Sequence, residues 1–127
     1  MGLLAVSDMK RDLRRVLVVD DSPKVRRTIR EILEDVDAQV EECSDGDEVL
    51  DAFERFVPHW VLMDVRMARM DGLHATRLLK KAHPEARIAI VTEMDQPDLR
   101  RSASEAGAEA FVAKPDLLVL RDLIRGD

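Results

Sequence analysis

The sequence has little of what several classes of protein depend on. It contains one cysteine and no tyrosine among 127 residues, and its formal net charge is -6. One cysteine cannot form an internal disulfide, so Cys43 is expected to be a small buried hydrophobic residue in a cytoplasmic protein. The acidic balance argues against a nucleic-acid-binding surface. No apolar run approaches the roughly 20 residues that span a bilayer, so no membrane contact is expected.

The remaining composition is typical of one globular domain. Hydrophobic residues make up 46% of the chain, which is enough to bury a core in a protein of this length. Residues 1–15 have mixed charge and precede the first strand-like run. We therefore expect a tail over residues 1–15 and a single domain over residues 16–127.

Four short apolar runs are each followed at once by polar side chains. Such runs are typical of strands buried on both faces, as in a parallel sheet, where the ligand crevice lies beyond the carboxyl ends of the strands. Any one of these polar residues alone would more simply be a turn or a helix cap. The runs and the residues after them are 16–19 with Asp20 and Asp21, 60–63 with Asp64, 88–91 with Thr92, and 111–113 with Lys114 and Pro115.

Strand-like and helix-like segments alternate along the whole domain. Strands are predicted over 16–20, 39–43, 60–64, 87–92 and 110–113, and helices over 23–36, 47–58, 72–83, 97–107 and 117–125. Five such βα units predict an α/β protein with a five-stranded parallel sheet and helices on both faces. The strand order 2-1-3-4-5 places strands one and three side by side, so that Asp20, Asp21 and Asp64 share one crevice.

Three carboxylates in one crevice need a cation or a proton nearby, because like charges a few ångströms apart do not all stay ionised at low cost. Oxygen ligands suit a hard cation, so the sequence predicts a Mg²⁺ site that keeps water for a phosphate group to displace.

At these residues the sequence resembles the receiver domain of bacterial two-component response regulators. The likeness runs from Val16 to Arg125, in four segments that occur in the family's order. They are Val18-Val19-Asp20-Asp21-Ser22, Met63-Asp64-Val65-Arg66-Met67-Ala68-Arg69-Met70-Asp71-Gly72, Val91-Thr92, and Gly107-Ala108-Glu109-Ala110-Phe111-Val112-Ala113-Lys114-Pro115. The resemblance implies a flavodoxin-like (βα)5 fold and a phosphorylation-activated switch in a phosphorelay.

The resemblance also implies a role for each site residue. Asp64 would be the phosphoacceptor, whose carboxylate attacks a phosphoryl group to give an aspartyl phosphate. Asp21, Asp64 and the backbone carbonyl of Arg66 would hold Mg²⁺ directly, and Asp20 would act through metal-bound water. Lys114 would contact a phosphoryl oxygen.

The switch residues and the Lys-Pro bond follow from the same resemblance. Thr92 would hydrogen-bond the phosphoryl group, and its movement would let Phe111 turn inward and reshape the last two βα units. The Lys114-Pro115 bond would be cis, since that geometry would aim the lysine at the site.

The sequence differs from the usual family pattern at two positions, and it lacks carboxylate and amide side chains at two further positions that affect autodephosphorylation in relatives. Ala68 stands where the family usually has proline, which leaves the loop after Asp64 less constrained. Glu93 stands where a small residue usually follows the switch threonine, so it would oppose the entry of an anionic donor. Arg66 and Met94, at positions that tune autodephosphorylation in relatives, offer no carboxylate or amide carbonyl to orient water.

The expected partners are a histidine kinase or phosphotransfer protein and a downstream protein target. The last helix carries a wide apolar stripe from Leu117 to Ile124, which either packs in the core or forms a partner or dimer surface of the last two βα units.

We expect a stand-alone receiver, unless the chain is a fragment of a longer regulator. The rivals are a pseudo-receiver that is rarely phosphorylated, which Glu93 favours, and an aspartyl-phosphate enzyme, which would need an acid where Arg66 stands.

Overall fold

Five parallel strands form one sheet in the order β2-β1-β3-β4-β5, as the computed structural model of the protein shows for residues 13–126. The strands are β1 Arg14–Val19, β2 Ala38–Cys43, β3 Trp60–Met63, β4 Ile88–Thr92 and β5 Ala110–Ala113. Five helices connect or follow them: α1 Pro23–Ile32, α2 Val49–Phe56, α3 Gly72–Ala82, α4 Pro97–Ala106 and α5 Val119–Gly126. The predicted fold and strand order are confirmed.

The central strands are buried as their continuous apolar runs predict. Every residue of β3 and β4 is buried, and so are residues 16–19 of β1, whereas the edge strand β2 keeps only Cys43 fully buried. β1 begins at Arg14, two residues earlier than predicted. The two extra residues pair with β2, Arg14 with Ala38 and Arg15 with Gln39. On the other side of the strand, the Arg15 N–H donates to His59 Nδ1 at 2.8 Å and the Arg15 carbonyl accepts from the His59 N–H at 2.8 Å.

The sheet separates two hydrophobic clusters. On one face, Leu17 and Met63 pack with residues of α2, α3 and α4, including Phe53 and Leu79. On the other face, Val18 and Trp60 belong to a cluster with α1 and α5. Helices therefore cover both faces, as right-handed crossovers between parallel strands require.

Capping residues mark the ends of several helices. Ser22 caps α1 by accepting from the backbone N–H of Val25 at 3.2 Å, and Pro23 lies in the first turn. Asp71 caps α3 in the same way. Gly107 ends α4 with φ 110°, a left-handed conformation that glycine adopts at little cost.

Several helix boundaries differ from the prediction. The helix predicted over 23–36 is an α-helix only to Ile32, and Leu33–Val36 form a 3₁₀ helix. A 3₁₀ turn, Gly46–Glu48, precedes α2, and α2 ends before the left-handed Val57, whose φ is 50°. A further 3₁₀ turn, Lys114–Asp116, precedes α5, which starts at Val119 rather than at Leu117. Leu33–Val36 and residues 47–48 adopt the tighter turn although the apolar spacing alone assigns them to α-helices.

The apolar stripe of the last helix is only partly used in packing. Leu120 and Ile124 are fully buried, but Leu118 and Val119 are 62% and 48% exposed. No helix of the described residues is long and apolar enough to cross a bilayer. Of the predicted tail, residues 1–12 lie outside the described residues, and Arg14 and Arg15 belong to β1.

Candidate functional site

A cleft of about 330 Å³ lies beyond the carboxyl ends of β1, β3, β4 and β5. The topology causes this, since the chain leaves β1 and β3 in opposite directions and so opens a crevice at the edge between them. Its lining includes six of the seven residues that sequence analysis assigns to the site. The lining residues are Asp20, Asp21, Ser22, Val25, Asp64, Arg66, Thr92, Glu93, Met94 and Lys114.

The three acids lie together at the base and rim of the cleft. One carboxylate oxygen from each of Asp20, Asp21 and Asp64 lies within 4.8 Å of the others. Asp20 and Asp64 are buried and Asp21 is exposed. Backbone hydrogen bonds fix two of them to the sheet, because Asp20 N donates to the Cys43 carbonyl at 3.1 Å and Asp64 N donates to the Val19 carbonyl at 2.9 Å.

Lys114 reaches the two buried acids from the end of β5. Its Nζ lies 2.9 Å from Asp20 Oδ2 and 3.4 Å from Asp64 Oδ1. The prediction of a cis Lys114-Pro115 bond is wrong, because the described residues contain no cis peptide bond. Pro115 lies in the first turn of a 3₁₀ helix, a position that its fixed φ suits, and the long lysine side chain reaches the acids from that backbone.

The charges of this cluster are incompletely balanced. Burial and the neighbouring charge of Asp20 raise the pKa of Asp64 to about 6, against the opposing effects of Lys114 and of a hydrogen bond from the backbone of Val65. Burial lowers the pKa of Lys114, but its hydrogen bonds and attraction to Asp20 and Asp64 outweigh burial and raise it above the usual value. One ammonium therefore does not fully compensate the buried acids.

These residues fit a hard divalent cation. All the side-chain donors are carboxylate oxygens, which Mg²⁺ prefers, and the exposed Asp21 leaves one side of the cluster open to water. A bound cation would also oppose the effects of burial and of the Asp20 charge that raise the pKa of Asp64.

Thr92 and Phe111 occupy different surroundings. Thr92 is buried at the end of β4, and its Oγ1 accepts from the backbone N–H of Met94 at 3.3 Å. Phe111 does not line the cleft. It is half-buried beside the core, and the guanidinium of Arg100 lies 4.6 Å from the centre of its ring. Asp95 holds that guanidinium by hydrogen bonds of 2.6 and 3.0 Å.

Glu93 lines the cleft and is exposed. Within the described residues it forms no ion pair, because Lys114 is bound to Asp20 and Asp64 while Arg69 is bound to Asp47 and Glu48. Two cationic side chains, Arg66 and Lys114, line the same cleft as its negative charge. Arg66 and Met94 also line the opening, as their spacing from Asp64 and Thr92 predicts.

Sequence analysis missed two residues that hold the loop after Asp64. Asp45 is buried and accepts from the backbone N–H groups of Arg69 and Met70 at 2.9 and 2.8 Å. Gly72 lies so close to Asp64 that an added Cβ would stand 1.8 Å from the Asp64 carbonyl oxygen. Asp45 looks like an ordinary turn residue in sequence, although its place just after β2 puts it at the same edge of the sheet as the acids.

Comparison with known proteins gives a consistent result. The sequence model of the response regulator receiver domain matches residues 16–125. The chemotaxis protein CheY of Halobacterium salinarum is 34% identical over 102 residues, which are 80% of this chain and 85% of that protein. The response regulator GacA of Pseudomonas protegens is 37% identical over 102 residues, which are 79% of this chain but 48% of GacA.

Solved structures show the same likeness in three dimensions. A CheY-like response regulator receiver domain protein of Methanospirillum hungatei superposes with a TM-score of 0.82 at 26% identity. The superposition covers 91% of this chain and 93% of that one.

Proposed function

The chain belongs to the response regulator receiver domain family, and from this premise we propose that it is a signalling switch controlled by phosphorylation of Asp64. The observation that carries the proposal is the position of Asp64. Its carboxylate is buried at the base of an open cleft, beside a second buried acid and within 3.4 Å of a lysine ammonium. A buried carboxylate with a raised pKa that opens on a cleft is typical of a functional site, and a phosphoacceptor requires such access.

In the proposed reaction an Asp64 oxygen attacks the phosphorus of a phosphohistidine on the partner. A new P–O bond gives the aspartyl phosphate, the P–N bond breaks, and the leaving imidazole takes up a proton. Mg²⁺, when bound, offsets the charge of the transferring group. Asp20, Asp21, Asp64 and the Arg66 carbonyl are the groups that we propose to hold it.

Lys114 and Thr92 then bind the product. The Lys114 ammonium already lies at Asp64 Oδ1, so we propose that it contacts a phosphoryl oxygen there. The Thr92 hydroxyl would exchange its 3.3 Å bond with the Met94 N–H for one to another phosphoryl oxygen. Inward rotation of Phe111 would follow and alter the surface of β4-α4 and β5-α5.

We further propose the setting of the switch. The donor is a histidine kinase or a phosphotransfer protein, the receiver domain covers residues 16–127, and the site of action is the cytoplasm. A downstream protein or a second copy would bind at the last two βα units, where Leu118 and Val119 are exposed. The match to only part of GacA leaves open that this receiver acts within a longer regulator.

Phosphorylation is expected to require both Asp64 and a divalent cation. Incubation with acetyl phosphate and Mg²⁺ should add the mass of one phosphoryl group to the wild-type protein, measured by intact mass spectrometry. Asp64→Ala, or the wild type in EDTA, should gain none, because the nucleophile or the compensating charge is missing. An equal mass gain in all three samples would remove Asp64 from its proposed role.

Glu93 is expected to slow phosphorylation by small anionic donors. At about 8 Å and an effective dielectric near 20, two unit charges repel by roughly 2 kcal/mol, about half of which survives salt screening. Glu93→Ala should therefore raise the labelling rate several-fold at low ionic strength. Glu93→Gln should give most of that gain if the charge of Glu93 slows labelling, and little of it if the size of the side chain does.

The matched control for Glu93 is Glu105→Ala, which removes an exposed acid from α4 away from the cleft lining. It should leave the labelling rate unchanged. Unchanged rates in both Glu93 variants would show that this side chain does not obstruct the donor. The second candidate function, a pseudo-receiver that binds partners without phosphorylation, would then lose its main support.

A further inference from the structure

Asp45 is a buried acid that the proposed phosphotransfer does not use. It follows β2 and is 2% exposed, yet it lies outside the cleft and touches none of the reacting groups. Its two carboxylate oxygens accept from consecutive backbone N–H groups, Oδ2 from Arg69 at 2.9 Å and Oδ1 from Met70 at 2.8 Å. Hydrogen bonds from backbone N–H groups to an ionised carboxylate are short and strong.

These contacts keep Asp45 ionised in spite of its burial. Burial raises the pKa of its carboxyl, but the N–H groups of Arg69, Met70 and Asp47 outweigh burial and leave the pKa below its usual value. The native loop geometry and the charged form of Asp45 therefore support each other.

The segment that Asp45 holds is the phosphoacceptor loop, residues 64–72. Its start is fixed by the hydrogen bond from Asp64 N to the Val19 carbonyl, and its end by the bond from Gly72 N to the Val65 carbonyl at 2.8 Å. Arg66 lies between these anchors in the chain, three residues before Arg69, whose N–H Asp45 binds. Since Ala68 has no ring to fix its φ, the loop depends on such external contacts for its shape.

Two further contacts bring the loops together around Asp45. The Arg69 guanidinium donates to Asp47 at 2.7 and 3.1 Å and to Glu48 at 3.0 Å, but these side chains are 40% or more exposed and contribute little. Gly46 permits the close approach, since an added Cβ would lie 2.6 Å from the Met70 carbonyl oxygen. Between the two backbone anchors, the buried bonds of Asp45 therefore restrain the loop more than these exposed ion pairs do.

We propose that Asp45 is a positioning residue, which holds the phosphoacceptor loop in the shape that presents the Arg66 carbonyl and Asp64 to Mg²⁺ and to the phosphoryl donor. It acts through the backbone N–H groups of Arg69 and Met70 rather than by contact with the metal. The inference deepens the proposed function and rests on it.

The test measures Mg²⁺ affinity by isothermal titration calorimetry, together with the Mg²⁺ dependence of labelling by acetyl phosphate. Asp45→Ala removes both acceptors, and Asp45→Asn keeps one acceptor oxygen in the same shape. Residues behind the ligands of a metal commonly change its affinity by about 10- to 100-fold. We expect Asp45→Ala to raise the dissociation constant for Mg²⁺ at least tenfold, and Asp45→Asn to raise it less.

The matched control is Asp47→Asn, which weakens the exposed pair with Arg69 and leaves the backbone contacts of Asp45 in place. It should bind Mg²⁺ as the wild type does. All titrations are run well below the melting temperature of the least stable variant. If Asp45→Ala does not fold, the dissociation constant of Asp45→Asn for Mg²⁺ is compared with that of the wild type instead.

The outcomes separate this inference from the proposed function. A lower melting temperature with unchanged Mg²⁺ affinity in both Asp45 variants would overturn the inference, because Asp45 would then support the fold alone. If the wild type binds Mg²⁺ but is not labelled, phosphorylation fails as a function, and calorimetry still decides the role of Asp45. If it is labelled and the Asp45 variants keep the wild-type affinity and rate, only the inference fails.

Discussion

Asp64→Asn is expected to raise the free energy of unfolding by about 3 kcal/mol at pH 8 in metal-free buffer, and to change it little at pH 4. The pKa of Asp64 is raised from 3.8 to about 6 in the folded protein. Folding therefore favours the neutral carboxyl, and the stability that this group contributes is complete below pH 3.8 and is lost as the pH rises through about 6. A shift of this size corresponds to about 3 kcal/mol.

Urea unfolding in EDTA at several pH values between 4 and 8 measures this difference directly. The advantage of the asparagine variant should appear between pH 4 and pH 6 and level off above. Addition of Mg²⁺ should stabilise the wild type more than the variant, because the cation compensates a charge that asparagine lacks. Asp98→Asn shows the effect of the same substitution at a side chain that is 91% exposed. A pH-independent difference for Asp64→Asn would contradict the raised pKa.

Gly72→Ala is expected to destabilise the protein by about 3 kcal/mol or more. The added Cβ would lie 1.8 Å from the Asp64 carbonyl oxygen, 2.8 Å from its carbonyl carbon and 2.9 Å from Met63 Cγ. Two of these atoms belong to the backbone at the end of the central strand, so no side-chain rotation relieves the clash. Overpacking of buried sites typically costs about 1–3 kcal/mol, and a required backbone shift puts this site at or above the upper end.

The comparison for Gly72→Ala is Gly126→Ala, where an added Cβ meets nothing within 4 Å. That substitution should be neutral or raise stability by up to about 1 kcal/mol, since alanine favours helix over glycine. Urea unfolding at pH 7 compares the two variants. Equal stability of Gly72→Ala and the wild type would show that the chain around Asp64 can move apart without cost.

The sequence predicts the sheet and the cleft because both follow from local patterns. Continuous apolar runs identify β1, β3 and β4, and parallel strands bring the residues after them, such as Asp20 and Asp64, to one edge. The roles assigned to Asp20, Asp21, Asp64, Arg66, Thr92, Phe111 and Lys114 stay predictions, since proximity alone does not establish phosphotransfer.

Other features depend on contacts between distant segments and leave little local trace. Asp45 resembles any turn residue until the fold brings the N–H groups of Arg69 and Met70 to its carboxylate. The trans Lys114-Pro115 bond could not be inferred from the resemblance, because the reach of the lysine side chain permits that geometry as well. β1 begins at Arg14 because Arg14 and Arg15 pair with Ala38 and Gln39 of β2.

The contact between the Arg100 guanidinium and the Phe111 ring favours the observed orientation of that ring over rotated ones. A guanidinium over an aromatic face at an exposed site is worth about 0.5–1 kcal/mol, and Asp95 keeps Arg100 in that position. A rotation that separates the two groups is therefore disfavoured by a factor of about two to five in population before any other contact changes. In the proposed switch, the Arg100–Phe111 contact would therefore lower the fraction of unphosphorylated molecules with Phe111 turned inward, and it would reduce background signalling at the cost of a slightly weaker response.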